Sequence, residues 1–533
     1  MTPAVRRALS PPVIVGGVAA VMALFDLRTV VFATNDEARF PLLARDILAR
    51  GEIWFPQLNG VVYQNKPLLL AWLIALVSWP GGQVTALTAL VPSILAAIAL
   101  AVVAYAAGRD MFGPDAGRYA GLAVATSQGF VIHARLAMPD MLLTLFLTLA
   151  LWQGWRLTRG RPRAWLGFYG AIAGAFWTKG PAGLLPLAIL LVWALVADRR
   201  RRLAQLELLR GLPLLAVLIA PWPLIGLLGH AAGLRKAVVT DQLAWYVPKS
   251  GVRAAVLIAP LSNTFGVLFP WVVLTPLVVV QAVRVLRGRG GERDSVQLLL
   301  VWATVIFVGV AVSAQQRVRY YLPLLPPIAL LTGWWIAGVV VRHRAVTRIP
   351  WAVYGAIAGL LPLGGVATLV ARPDTRAQLV AAWPAWGTLV VVLIVTGLAA
   401  VATLALTPAP RRRARAFALT CAIAAIAAAG AYRVDTRRPT TEQFGRLQAR
   451  VQPLAGDDGA VVAWDVADLP LSFYLRRPVV RVDTGEALVR ALDGQATVAV
   501  VGARMVTRVA SHESVTVLDH AMLGPQDVAV VGR

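Results

Sequence analysis

The chain has 533 residues, of which 58% are hydrophobic and only 14% charged, and its mean hydropathy is +0.69. Globular proteins average about 45–50% apolar and about 25% charged residues, so this composition excludes a soluble enzyme, a disordered chain and a fibrous protein, and leaves a polytopic membrane protein. The net charge is +25, with all but four of the 51 basic residues being arginine; in such a chain this reads as loop charge that fixes topology, not as a nucleic-acid surface.

A membrane span takes about 20 apolar residues. Thirteen candidates follow one another near 11–30, 84–107, 119–134, 141–157, 165–178, 181–197, 208–228, 262–283, 296–314, 321–341, 350–371, 378–403 and 416–432. The apolar run that follows Arg6-Arg7 has no clear small-residue cleavage site after it and reads as an uncleaved first span. The stretch from Pro67 to Pro80 is too short to span alone and reads as interfacial or as the start of the next span. Alternate loops are rich in arginine: Arg109/Arg118, Arg156–Arg163, Arg199–Arg202, Arg284–Arg293, Arg342–Arg348 and Arg411–Arg415. With the N-terminus inside, all of these fall on the cytoplasmic face. The opposite loops then carry all four lysines, Lys66, Lys179, Lys236 and Lys249. Cys421 is the single cysteine, so no intrachain disulfide is possible.

From Arg433 the pattern changes. Short β-type runs at 461–464, 479–482, 497–501 and 515–518, with a helical run at 486–492, predict an α/β domain over 433–533, placed outside by the parity of the spans. Residues 1–432 form the membrane domain. No glycine-rich nucleotide fingerprint opens the second domain, which reads as a structural or acceptor-facing module.

Ionisable residues at membrane depth are costly and each calls for a reason. The first outer loop, about 31–83, holds Asp36, Glu37, Arg39 and Phe40, and Phe40, Leu43, Ile47 and Leu48 recur at helical spacing. This predicts an amphipathic interfacial helix over 37–50 with Asp36 at its N-cap, so capping alone is one reading of that carboxylate. Asp140 opens another apolar run, where capping is again the simple alternative. Lys179 breaks two apolar runs, as a snorkelling lysine would. Gln315–Pro323 reads either as a charged connector or as part of a site. Together Asp36, Glu37 and Asp140 share one membrane face with Lys66, Arg135, Lys179, Arg317 and Arg319. Carboxylates to orient or deprotonate an acceptor, with cations to hold a departing phosphate, suit glycosyl transfer from a lipid phosphate.

Several of these segments resemble a known family. Asp36-Glu37-x-Arg39-Phe40, Pro56-Gln57-Leu58-Asn59-Gly60 and Lys66-Pro67 resemble the first outer loop of the bacterial polytopic glycosyltransferases of the C-type fold, among them the lipid A aminoarabinose transferase and the wider protein O-mannosyltransferase superfamily. Arg135–Leu143, Thr178-Lys179-Gly180-Pro181 and Arg319-Tyr320-Tyr321-Leu322-Pro323 fit the same family in the same order, and Phe473–Pro478 resembles a segment of its C-terminal outer domain. The resemblance implies a C-type glycosyltransferase fold of about 13 helical spans with a small periplasmic α/β domain. It implies a sugar donor on a polyprenyl phosphate such as undecaprenyl phosphate, and inverting transfer to a lipid, glycan or protein acceptor. By matched motif, Asp36 is the principal catalytic carboxylate, Glu37 supports it or meets the acceptor, and Asp140 belongs to the second loop's polar cluster. Lys66, Arg39, Lys179, Arg319 and Tyr320 are expected at the donor phosphate and lipid. His133, Arg135, His230 and Asp241 are weaker expectations as substrate-lining residues. One departure stands out: relatives often carry a glutamate before the lysine of Lys66-Pro67, an acid linked with a metal, and here it is Asn65. No metal or other cofactor is therefore inferred. The competing reading is a lipid or solute transporter, which would be expected to show paired repeats and ionisable groups near mid-bilayer.

Overall fold

The computed structural model describes residues 10–25, 27, 30–196, 200–227, 254–288, 290–313, 315, 317–340, 439–456, 459–494, 496–509, 515–524 and 526–532. The spans read at 350–371, 378–403 and 416–432, and the residues Lys236, Lys249, His230, Asp241 and Cys421, lie outside these.

The first helix, α1 (Pro11–Leu24), leads to the outer-loop helix α2 (Asn35–Arg50). Thr34, not Asp36, caps α2: its side chain accepts from the Glu37 amide, and Glu37 reaches back to accept from the Ala33 amide at 3.0 Å. The helix ends at Gly51, whose φ of 71° is the left-handed conformation glycine tolerates best. Its apolar face, Phe40, Leu43, Ala44 and Ile47, is buried. A two-stranded ribbon, β1 (Gln57–Leu58) and β2 (Val61–Val62), turns at Asn59-Gly60. The apolar stretch after Pro67 is the short helix α3 (Leu69–Ser78).

The helices that follow are α4 (Ala86–Phe112), α5 (Pro114–Ala125), α6 (Gln128–His133), α7 (Pro139–Leu157), α8 (Ala164–Lys179) and α9 (Leu185–Val196). Next come α10 (Leu208–Ile219), α11 (Ala254–Leu268), α12 (Thr275–Arg287), α13 (Arg293–Ala311) and α14 (Leu325–Val340). Among the described residues, Ala86–Phe112, Ala164–Val196, Arg293–Ala311 and Val318–Gly338 are long and apolar enough to cross a membrane, as is the bent pair Leu208–Ile219 and Pro221–Leu227. The run Ala164–Val196 turns back on itself at Gly180, whose φ is 64°. Leu185 packs with Ala175 and Phe146, Leu190 lies against Phe168 beside Gly154, and Tyr169 donates to the Leu206 carbonyl at 2.9 Å. The two legs are therefore antiparallel, as the two separate spans required. The run read as one span at 119–134 is instead α5 and α6, divided at Ser127. There the side chains of Thr126 and Ser127 bond back to the preceding turn, and the Gln128 amide donates to Phe269. The run at 262–283 is likewise shared between α11 and α12.

The arginines between α7 and α8 meet the end of α4 and the start of α13. Arg156 and Arg161 lie 3.7 and 3.6 Å from Asp110 at the end of α4, and Arg159 lies 3.8 Å from Asp294 at the start of α13. Helix α7 has 19 residues and is therefore roughly 28 Å long. It separates this end from Asp140 at the other.

The C-terminal unit comprises α15 (Thr441–Ala455), β3 (Ala460–Trp464), α16 (Asp468–Leu475), β4 (Val479–Val482), α17 (Gly485–Asp493), β5 (Ala496–Gly502), α18 (Ala503–Val509), β6 (Thr516–Leu523) and β7 (Gln526–Gly532). The strand order is β4-β3-β5-β7-β6, with β3 parallel to both β4 and β5 and the last two strands antiparallel. Side chains alternate along each strand. Val461, Ala463, Val498 and Val500 face α15 and α16, whereas Val462, Trp464, Ala499 and Val501 face α17.

This unit docks on the segment around α2 and the β1–β2 ribbon. The Asn35 side chain donates to Asp468 at 2.8 Å and accepts from the Leu469 amide at 3.1 Å. The Tyr474 hydroxyl accepts from the Phe32 amide at 3.0 Å, and Arg45 donates to the carbonyls of Ser472 and Phe473. The two cores also exchange residues: Val31 packs into the C-terminal core, and Leu469 and Phe473 into the helical one.

Close approach of α14 to α5 depends on Gly333. A Cβ there would lie 2.5 Å from both the Ala116 carbonyl oxygen and the Ala120 amide nitrogen, which are backbone atoms that cannot step aside. Gly333→Val should therefore cost at least about 1–3 kcal/mol, seen as a Tm several degrees lower in detergent. An unchanged Tm would refute this packing.

Candidate active site

Four separate segments bring charged side chains together. Asp36 and Arg39 stand on successive turns of α2, with Arg39 Nη1 2.8 Å from Asp36 Oδ1. Asp140 is the second residue of α7, and Lys179 the last of α8; their side chains meet at 2.5 Å. A 3₁₀ turn, Val318–Leu324, supplies Arg319. Arg319 Nη2 bonds Asp36 Oδ2 at 2.6 Å while its Nε stands 3.9 Å from Asp140 Oδ2. Arg317 bonds the same Asp36 oxygen. The Tyr320 ring lies under both neighbouring cations, 4.5 Å from Lys179 Nζ and 5.3 Å from the Arg319 guanidinium carbon.

Neither aspartate caps its helix. Met138 is the residue before α7, and the Asp140 carboxylate, 4% exposed, is spent on Lys179 and Arg319. Burial pushes the Asp36 carboxyl up, but Arg319, Arg39 and Arg317 outweigh it and hold it well below the ordinary carboxylate range. Asp36 is thus ionised throughout the neutral range.

Lys66 follows β2 in the loop before α3. Burial pulls its ammonium down, the charge of Lys179 adds to this, and Asp140 and Asp36 only partly compensate, leaving it at about 8. Beside it is an aromatic wall that sequence spacing does not reveal. Trp72 lies 5.4 Å from Trp54 and 5.1 Å from Trp177, ring centroid to centroid, and all three line a narrow pocket with Lys66 and Trp222. Their positions, in the first loop, on α3 and on α8, give no local pattern. A tryptophan two residues before Lys179 was the nearest signal.

The other expected residues have different surroundings. Glu37 is buried, and its carboxylate accepts the Ala33 amide in the cap of α2. Arg135 is 4% exposed and donates to the Met22 carbonyl at 2.8 Å, closing the end of α1. His133 is buried with Nδ1 2.8 Å from the Gly129 carbonyl. Asn65 is exposed. A second, open cleft is lined by Asp36 together with Arg39, Arg317, Asp465 and Arg481.

Five cations, Arg39, Lys66, Lys179, Arg317 and Arg319, thus surround two carboxylates. The surplus of positive charge is what an incoming phosphate would neutralise.

Residues 65–225 match the family model for dolichyl-phosphate-mannose-protein mannosyltransferase. Over 336 residues the chain is 29% identical to undecaprenyl phosphate-alpha-4-amino-4-deoxy-L-arabinose arabinosyl transferase of Pectobacterium carotovorum, covering 59% of this chain and 57% of that protein. The corresponding Pectobacterium atrosepticum protein is 28% identical over 347 residues, 61% of this chain and 59% of that one. The chain so spans somewhat less than two thirds of the length of these curated relatives. Among solved structures, ArnT from Cupriavidus metallidurans bound to undecaprenyl phosphate superposes with a TM-score of 0.77 at 18% identity, covering 97% of each chain. The archaeal oligosaccharyltransferase AglB from Archaeoglobus fulgidus, with an inhibitory peptide and a dolichol-phosphate, superposes with 0.52 at 12% identity, covering 94% of this chain and 70% of that one. The resemblance to the C-type glycosyltransferases of the aminoarabinose transferase and protein mannosyltransferase superfamily therefore extends through both sequence and fold.

The Asp140 pair can be tested apart from any activity. Asp140→Ala leaves Lys179 and part of Arg319 uncompensated in a buried setting and should cost about 3–5 kcal/mol. Adding Lys179→Met should recover part of that loss in thermal unfolding. Additive losses would mean that the two side chains are not coupled.

Proposed function

We propose that this chain is a multi-pass membrane glycosyltransferase that moves a sugar from a polyprenyl phosphate, undecaprenyl phosphate being the expected carrier, to an acceptor outside the cytoplasm. In this reading the chain has about thirteen spans in the bacterial inner membrane, a cytoplasmic N-terminus and a periplasmic C-terminal domain. The acceptor is a lipid A-like lipid, a glycan or a protein. The observation that carries the reading is the carboxylate pair held in excess positive charge at one end of the helices. The names of the similar proteins support the same class of donor.

In this reading the acceptor hydroxyl attacks the anomeric carbon from the side opposite the phosphate while its proton passes to Asp36, the bond from that carbon to the phosphate oxygen breaks with its electron pair left on the phosphate, and configuration inverts as the family resemblance implies. Positive charge that develops at the sugar is stabilised by the ionised Asp36. The negative charge that develops on the departing phosphate is met by Arg319, Lys66 and Lys179. A carboxylate held so far down is a weak proton acceptor. A phosphate that draws Arg317 and Arg319 toward itself would return Asp36 toward the ordinary range, so donor binding would itself strengthen the base. The transporter alternative predicts ionisable groups near mid-bilayer, whereas this cluster gathers at the ends of α7 and α8.

Asp36→Asn tests the assignment in lipid-reconstituted protein supplied with undecaprenyl-phosphate sugars and a membrane extract. Release of undecaprenyl phosphate should fall about 10²–10⁴-fold with expression and Tm retained; undiminished release would remove Asp36 from the mechanism. Lys66 gives a pH signature. Below about 8 its ammonium is charged and above it the charge is lost. Affinity for undecaprenyl phosphate should therefore decline above pH 8, by up to about tenfold at one unit beyond, and Lys66→Arg should move the decline upward. A flat profile across pH 7–9.5 for the natural chain would show that Lys66 does not hold the phosphate.

A further inference from the structure

At the end of the helices away from Asp140, the turn from α7 to α8 gathers arginines that no carboxylate fully engages. The turn is a tight reversal that its sequence dictates. Gly160 is left-handed, φ 75°; its amide donates to the Leu157 carbonyl at 3.0 Å, and the Arg161 amide donates to the Arg156 carbonyl at 3.1 Å. This double closure is the one a glycine just past a helix permits. It folds Arg161 back beside Arg156, so that both guanidinium groups reach one oxygen of Asp110. Arg156, Arg161 and Arg163 then line an open cleft of about 450 Å³ with Gln153, Ala164 and Gly167, and no acidic side chain is in that lining.

The arginines keep donors to spare. Arg156 Nε and Arg161 Nη1 stand 3.7 and 3.6 Å from Asp110 Oδ2, beyond hydrogen-bond distance, and that oxygen already accepts from the Trp152 indole at 3.2 Å. Among the described residues, Arg156 Nε has no hydrogen-bond acceptor and Arg163 no ion pair. A satisfied guanidinium in the same chain differs: Arg50 makes two bonds to Asp46, at 2.8 and 2.6 Å. Planar groups with unspent N–H donors take the oxygens of a phosphate in pairs. The first turn of α8 forms part of the same wall, and its positive end adds to the attraction.

The surroundings distinguish a lipid phosphate from a free one. Trp152, on the penultimate turn of α7, directs its N–H to Asp110 and carries the Arg156 guanidinium over its ring at 5.3 Å. A tryptophan with one polar edge and one apolar body suits the headgroup level of a membrane. Beside Gly167, Leu166 is 58% exposed on α8. A ligand that carries both phosphate and hydrocarbon meets both surfaces, whereas a free anion uses only the first. We infer that this cleft binds the phosphate of an acidic phospholipid headgroup, in the leaflet opposite the Asp36 cluster. Basic pockets between membrane helices are suited to such headgroups. The inference rests on the membrane fold and is independent of the transferase reading.

The test titrates the full chain in detergent with phosphatidylglycerol and with phosphatidylcholine of the same acyl chains, counting bound lipid by native mass spectrometry. Phosphatidylglycerol should bind about tenfold more tightly, because the choline cation offsets the phosphate of the other lipid. Arg161→Gln with Arg163→Gln should weaken phosphatidylglycerol about tenfold and leave phosphatidylcholine unchanged. Arg284→Gln with Arg287→Gln takes the same charge from the last turn of α12, outside the cleft, and should change either affinity by no more than about twofold. Arg161 and Arg163 are exposed. Should their variant nonetheless unfold, Gly167→Leu fills the cleft without altering charge, pressing only on the flexible Gln153 side chain, and should give the same tenfold loss. Unchanged phosphatidylglycerol affinity in the folded cleft variants, or an equal loss in the α12 variant, would overturn the proposal. Displacement of the lipid by inorganic phosphate at matched concentration would overturn it too, by making the site one for a free anion.

Discussion

The guanidinium of Arg319 ties the structure together at one end of the helices. One nitrogen bonds Asp36 on the interfacial helix, and another stands near Asp140 at the mouth of the helical bundle. Both contacts are made by a planar group with donors in a fixed fork, which a lysine could not reproduce with one point charge. The rest of the cluster follows from this bridge. Lys179 balances Asp140, Tyr320 presents its ring to both cations, and Arg39 and Arg317 close around Asp36. Such groups are expensive to take out of water one at a time. They persist in this cluster because opposite charges stand close together.

The same arrangement sets the chemistry in tension. In the proposed transferase reading, an excess of cations serves a phosphate, yet it makes Asp36 a poor base. The two demands are reconciled if the phosphate and the carboxylate compete for the same arginines. Electrostatic stabilisation of a positively charged sugar carbon would need no such release, since it depends only on Asp36 being ionised.

Much of this was legible in the sequence, and for a physical reason: the elements are local. The interfacial helix at 37–50, the short apolar helix after Pro67, the reversal at Gly180 and the strands at 461–464 and 479–482 are set by periodicity and turn chemistry within a few residues. The gathering of Asp36, Asp140, Lys179 and Arg319 was also foreseen, because membrane sidedness sorts loops without knowledge of their packing. Finer placements were not legible. Asp36 was set at the N-cap position, with capping as one alternative, but Thr34 takes that place, since the residue before the first turn is decided by backbone angles that spacing leaves open by one or two positions. The bond from the Ala33 amide to Glu37, and those from Arg135 to the carbonyls at the end of α1, more than a hundred residues away in the chain, leave no trace in the spacing. The last strand, β7, and the helices α15, α16 and α18 carry weaker or shorter patterns and were not read at all.

The contacts least visible in the sequence join the two ends of the chain. Asn35, one residue before Asp36, is held by Asp468 and the Leu469 amide, 433 and 434 positions away. Asn59 bonds the Val479 carbonyl at 2.6 Å and the Ser472 hydroxyl at 2.8 Å. Asn35 fixes the first turn of α2 against α16, and Asn59 fixes the β1–β2 turn against α16 and the start of β4, so the C-terminal unit is held in place beside Asp36. The polar side chains of Asn35 and Asn59 do this where an apolar contact, which has no preferred direction, could not.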